Sequence, residues 1–189
     1  ERASQVCRQV LSAMGADAAV LSGEADMAKI SISGAGILGR PGVAARLFDT
    51  LARLGINLRL IATSEVKVSC VVAGRAGPKA LRATAEAFEL QDRQLGHHTV
   101  SDQLAAPAVR GVALDRDQIQ VTVRHVPDQP GSAAAVCRTL AEAAISLDAI
   151  VQSERTHTMG QQLSRDMSFV LKREDLSRAE AALAPLLLQ

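Results

Sequence analysis

The sequence predicts an α+β fold: two copies of one module, side by side in an extended antiparallel sheet with helices on one face. Three observations predict it. The chain matches itself at a shift of 89 residues; short segments alternate apolar and polar residues; and longer segments carry apolar residues every three or four positions. At that shift Ile30 and Ile32 fall on Ile119 and Val121, and Pro41-Gly42 on Pro130-Gly131. Ala44-Ala45 falls on Ala133-Ala134, Leu51, Ile56, Leu58 and Ile61 on Leu140, Ile145, Leu147 and Ile150, and Ser64-Glu65 on Ser153-Glu154. One spacing kept over about 35 positions marks a duplicated unit.

Each copy reads as strand, Pro-Gly corner, helix, strand, strand, helix. In the first, residues 29–33 alternate as a half-buried strand does. Pro41 fixes the chain ahead of a helix whose apolar face is Val43, Leu47, Leu51 and Leu54, and Gly55 suits its left-handed stop. Residues 57–62 and 65–72 follow as strands, the latter alternating Val66, Val68, Cys70 and Val72, and 79–88 supply the second helix. In the second copy the strands are 118–124, 146–152 and 165–171, and the helices 132–143 and 175–187. Residues 156–164 form a polar insertion, a loop or hairpin extension. The polar stretch 90–109, with Pro107, reads as a linker. A helix over 5–14 with a Gly15 stop, and short strands at 18–21 and 111–114, remain; each strand could complete one sheet.

Composition excludes several functions. The 189 residues are 48% hydrophobic, enough for a core and too many for a disordered chain. With 21 Lys and Arg against 20 Asp and Glu, and three Phe with no Trp or Tyr, neither a basic field nor a stacking platform is present for nucleic acid. No apolar run reaches membrane-spanning length. Cys7, Cys70 and Cys137 form no CxxC pair and His97, His98, His125 and His157 no metal spacing, so no metal site and a reducing, cytoplasmic setting are expected. No Ser-His-Asp, Cys-His, paired-carboxylate or phosphate-loop arrangement stands out, so the chain itself is expected to be non-catalytic. The start lacks an initiator Met and a signal h-region, which points to a piece of a longer protein.

The order strand–helix–strand–strand–helix–strand is that of the ferredoxin-like ACT domain, and the details resemble the paired regulatory ACT domains of aspartokinase (aspartate kinase). The resemblance is carried by residues 34–48 (GAGILGRPGVAARLF) and 55–69 (GINLRLIATSEVKVS), then by 111–115 (GVALD), 126–131 (VPDQPG) and 150–152 (IVQ). The family writes these as GxGMxxxPGVAARxF, GINIxMISTSExKIS, GVAxD, VPDxPG and IVQN, with the VPDxPG module normally first. The order here resembles a cut through a duplicated ACT array. It implies that residues 1–22 are the helix and strand of a preceding module, 23–90 one ACT module, 91–110 a linker and 111–189 the VPDxPG module. The second copy departs at Ala144-Ile145-Ser146 where the family has GIN, at Gln152-Ser153 where it has QN, and in the 156–164 insertion. The kinase signature segments are absent.

The resemblance implies allosteric control of an aspartate kinase by a pathway end product, lysine or threonine, held between two modules. A helix that starts at a Pro-Gly corner directs unpaired N–H groups and the positive end of its dipole outward, which suits a carboxylate. By motif match the effector-binding residues are Asp128, Gly131, Ala133 and Gln152, with Asn57 and Leu58 across the interface. A second, pseudo-symmetric site would use Arg40, Gly42, Ala44, Thr63, Ser146 and Leu147. Asp128 also suits a plain turn, Gln152 a sheet edge, and the glycines mere close approach. No cofactor is expected in this chain; ATP and Mg would belong to the missing kinase domain. A homodimer through the ACT modules is expected, with no nucleic acid or membrane partner. The alternatives are a stand-alone ACT sensor or a purely structural dimerisation module. Remotely, Gly34, Gly36 and Gly39 match a dinucleotide fingerprint, but the next strand, where the acid belongs, reads Asn57-Leu58-Arg59-Leu60 with none until Glu65, and Pro41 intervenes at once.

Overall fold

A computed structural model describes residues 2–15, 25–37, 39–64, 66–90, 114–152, 157–159 and 162–187. The first module contains β1 (Met27–Ser33), α2 (Val43–Arg53), β2 (Leu60–Ser64), β3 (Lys67–Ala73) and α3 (Gly77–Ala87), preceded by helix α1 (Arg2–Ala13). The second contains β4 (Gln118–Pro127), α4 (Ser132–Glu142), β5 (Ala149–Gln152), β6 (His157–Met159), β7 (Gln162–Lys172) and α5 (Leu176–Leu187). The strands form one seven-stranded antiparallel sheet in the order β1-β3-β2-β5-β7-β4, with β6 paired to β7. The two modules therefore meet through their second strands, at the bridge Ala62–Val151.

The apolar periodicity explains which face is covered. In α2, Ala45, Leu47, Phe48 and Leu51 are buried; in α4, Ala133, Ala134, Val136, Cys137 and Leu140 are. These stripes lie against Ile30, Ile61, Val68, Cys70 and Val72 in one module and Ile150, Met167, Phe169 and Leu171 in the other, a single continuous core. On the opposite face, polar cross-strand pairs recur in register: Ser31 with Ser69 (2.9 Å) and Thr122 with Ser168 (2.8 Å).

The duplication is a rotation about an axis through the seam, because equivalent residues meet there. Ala62 and Val151 are repeat partners, and they bridge. Asp49 and Arg138 are partners, and they form an ion pair at 2.6 Å between α2 and α4. A side chain built on Gly42 would face Ala141, and one on Gly131 would face Ala52, the reciprocal pair.

The structure shifts several expected boundaries. The strand read as 57–62 begins at Leu60, because Asn57 and Leu58 turn into the seam, where the Asn57 amide bonds Asp128. Its counterpart, read as 146–152, begins at Ala149. The 156–164 insertion is a hairpin extension, β6 folding back on β7. The repeat is also not gapless. Ile30 pairs with Cys70 and Val121 with Phe169, which are equivalent positions of the third strand, so the first strand of the second copy sits two residues later than the constant shift gives. A two-residue slip keeps every side chain on its face, so alternation alone is blind to it. A bulge between Val123 and Val126, with His125 at φ 58°, adds one further residue to β4, so the shortening falls in the turn that leads to Pro130. The expected strand at 18–21 and the linker 91–110 lie outside the described residues, as do 111–113 of the expected strand 111–114, whose last residue, Leu114, is exposed and not in a strand.

Leu51 and Leu140 are repeat partners, each fully buried. Truncating either to Ala should cost about 2–5 kcal/mol, and the two costs should be similar, measured by urea unfolding. Burial raises the thiols of Cys70 and Cys137 from the ordinary 9.0 to about 12, whereas Cys7 is exposed. At pH 8 one thiol should react rapidly with a disulfide reagent and three in denaturant. Because the folded values lie above the unfolded ones, this contribution to stability is complete below pH 9 and declines as pH rises towards 12. The chain has no Tyr to confuse the reading, so the melting temperature should fall over that window, and less so in Cys70→Val.

Candidate functional site

Each Pro-Gly corner enters its helix through a glycine with a positive φ: Gly42 at 92° ahead of α2 and Gly131 at 98° ahead of α4. Only glycine holds that geometry without strain. Neither helix has a side-chain cap or an acidic residue in its first turn. The first-turn N–H groups of each have no intrahelical acceptor, leaving a positive pole aimed at the seam.

At the α4 corner the structure brings together all six residues read from the motifs. Asp128, Gly131, Ala133 and Gln152 of the second module and Asn57 and Leu58 of the first line one small cavity, with Phe48, Ile56, Val126 and Met167 as apolar walls. Its volume is about 10 Å³, the room of one water. The Asp128 carboxylate accepts from the Asn57 amide nitrogen at 2.9 Å and from Arg165 Nε at 2.9 Å. Arg165 Nη1 also donates to the Arg59 carbonyl oxygen at 2.9 Å. Both members of the ion pair are shielded, with side chains 11% and 6% exposed for Arg165 and Asp128, so little solvent screens it. Gln152 Oε1 is buried in the same cavity without a donor.

The α2 corner differs. Arg40, Gly42, Ala44, Thr63 and Leu147 line a cavity of about 30 Å³ with Cys137 and Ile150, but Ser146 does not reach it. Thr63 Oγ1 already accepts from the Ile150 amide at 2.7 Å. The repeat partner of Asp128 is Gly39, and that of Arg165, through the paired third strands, is Val66. This corner therefore has the helix pole without the carboxylate.

Arg165 is the residue that sequence reasoning missed. A signal was present: inward positions of the last strand read Leu171, Phe169, Met167 and then Arg165, a charge ending an apolar alternation. A larger cavity of about 630 Å³ lies elsewhere, along β1 between α3 and the 34–43 turn, with Thr84 Oγ1 buried and unpartnered beside it. It flanks the outer edge of β1, where the βαββαβ order calls for a fourth strand and where, among the described residues, none is paired. The glycines of the dinucleotide fingerprint follow a strand paired antiparallel, whereas that site needs a parallel sheet. Among the described residues no cluster of metal-ligating side chains occurs, and no helix is long and apolar enough to cross a membrane.

An antiparallel sheet with paired helices on one face, and uncapped helix poles at the seam between two modules, defines a class of small regulatory domains. The ACT-domain signature matches residues 30–88 and again 120–187. The chain belongs to the ACT-domain family, as two domains in tandem, and its pair is of the aspartokinase regulatory type. It is 43% identical over 88 residues to an aspartate kinase of Stutzerimonas stutzeri (strain A1501), covering 47% of this chain and 21% of that protein. It is 46% identical over 70 residues to an aspartokinase of Bacillus sp. (strain MGA3), covering 37% and 17%. The crystal structure of aspartate kinase from Synechocystis superposes with a TM-score of 0.80 at 48% identity, covering 88% of this chain and 28% of that one. The chain thus spans about a fifth of the curated relatives it matches.

Proposed function

We propose that this ACT pair binds a pathway amino acid, lysine or threonine, at the seam and thereby controls the aspartate kinase activity of a larger protein. The supporting observation is the buried, donorless Oε1 of Gln152, a residue that lines one cavity with Asp128 and the uncapped start of α4. A zwitterion answers all three features. Its carboxylate takes the N–H groups at Ala133 and the α4 pole; its ammonium donates to Asp128 and Gln152; its side chain packs on Leu58 and Met167. Asn57 brings the first module into the same contact. The seam must widen to admit the ligand, so binding favours one spacing of the modules over another. That is the coupling an allosteric domain needs, of the order of 1–3 kcal/mol. ATP and Mg would be held by the kinase domain of the larger protein, in the cytoplasm.

One observation favours the reading as an assembly module: in this closed seam Asp128 is already satisfied by Asn57 and Arg165. Calorimetry of the 189-residue chain decides between them. L-lysine or L-threonine should bind with a dissociation constant between roughly micromolar and millimolar, given ligands of so few atoms. Asp128→Asn should weaken binding at least about tenfold, since a charge-assisted bond is worth about 1.5–3 kcal/mol. No heat with either amino acid, on folded protein, leaves only the assembly role. For assembly itself, the outer edges of β1 and β4 are unpaired among the described residues, which supports a homodimer. Sedimentation at tens of micromolar should show a dimer.

A further inference from the structure

We infer that Arg165 is a resident cation on Asp128 that competes with an effector's ammonium for that carboxylate, and that this corner favours uncharged side chains over lysine. The inference rests on the seam being an amino-acid site, as proposed above, and adds what limits entry and which chemistry is admitted.

The geometry carries it. Arg165 Nε lies 2.9 Å from Asp128 Oδ2, the distance and partner an incoming ammonium requires. The guanidinium is also tied at 2.9 Å to the Arg59 carbonyl, just ahead of β2 in the other module, so one side chain spans the seam. The cavity that Asp128 lines holds about 10 Å³, far less than any amino acid, so the seam must open whichever cation Asp128 holds. Several walls, Asn57, Leu58, Asp128 and Gln129 among them, lie outside strands and helices, and the Arg165 guanidinium is the partner of Asp128 that an ammonium can replace. An entering ammonium would exchange one cation on Asp128 for another and free the Arg59 carbonyl.

The selectivity follows from counting charges. Asp128 is the one ionisable residue lining the cavity, the other walls being apolar or uncharged. A zwitterion with a neutral side chain needs one acidic partner for its ammonium and finds it. Lysine brings a second ammonium into a shielded space where, among the described residues, no second carboxylate lies and where a guanidinium is bonded to Asp128, and like charges repel strongly there.

The test uses L-threonine and L-lysine with the parent chain, Arg165→Gln and Arg165→Lys, by calorimetry, with circular dichroism confirming each fold. Removing the resident cation should tighten threonine by about tenfold or more, because the fraction of chains able to bind rises. Arg165→Lys, which keeps a cation, should stay near the parent. The parent should prefer threonine, and Arg165→Gln should narrow that preference. A folded Arg165→Gln that binds threonine no more tightly than the parent overturns the inference while leaving the amino-acid site intact. A parent that prefers lysine overturns the selectivity. No binding by any of the three chains removes the amino-acid site and this inference together. A measurement on the parent alone avoids dependence on the variants: the shielded Arg165 Nε–H resonance should shift and exchange faster as threonine saturates. If threonine binds and that resonance is unmoved, Arg165 is not the competitor.

Discussion

The structure depends on two glycines that let helix starts approach a neighbouring module. Gly42 and Gly131 hold a backbone geometry closed to other residues without strain, and each lies against an alanine of the opposite helix, Ala141 and Ala52. That approach lets α2 and α4 pack across the axis while β2 and β5 join beneath them. A larger residue at either alanine would hold the corners apart, and the sheet could no longer run unbroken from one module into the next. The seam is thus fixed by small residues, and the polar groups gathered there are placed by it.

On this near-symmetric frame the two corners have diverged in chemistry. One has Asp128, Asn57, Gln152 and Arg165; the other has Gly39, Ser146, Thr63 and Val66 at matching positions. The helix pole is common to both, since it comes from backbone and glycine alone. The acceptors are not, since they come from single side chains that duplication leaves free to change. At the second corner Thr63 lines the cavity, but its hydroxyl accepts from the Ile150 amide and so mends the strand junction. A symmetric fold therefore presents one polar corner and one plain one.

The fold was legible because periodicity and the repeat agree at every level. Alternation at Val68, Cys70 and Val72 and the stripe at Leu47 and Leu51 each point to the face that is buried. The geometry of the α4 corner was legible through its motifs, which brought six residues to one cavity before any coordinates. Boundaries were less so: Asn57 reads as strand by its neighbours, but its amide is drawn to Asp128, a partner 71 positions away. The two-residue slip of the first strand escaped because it preserves parity. Arg165 escaped because its partners, Asp128 and the Arg59 carbonyl, lie 37 and 106 positions away in the chain.

The closed corner shows what a buried carboxylate requires of its surroundings. An unpaired buried carboxylate is costly, so Asp128 needs a cation in any arrangement of the seam. Arg165 supplies it from within the chain, and its second bond, to the Arg59 carbonyl, ties that cation to the other module. The empty state is thereby held in one definite arrangement, not left slack. A ligand that displaces this side chain changes the contacts between modules at the moment it binds. Differential contacts of that kind are what any shift between two arrangements requires. The cation that stabilises the seam without ligand is then also the element through which a ligand would be felt.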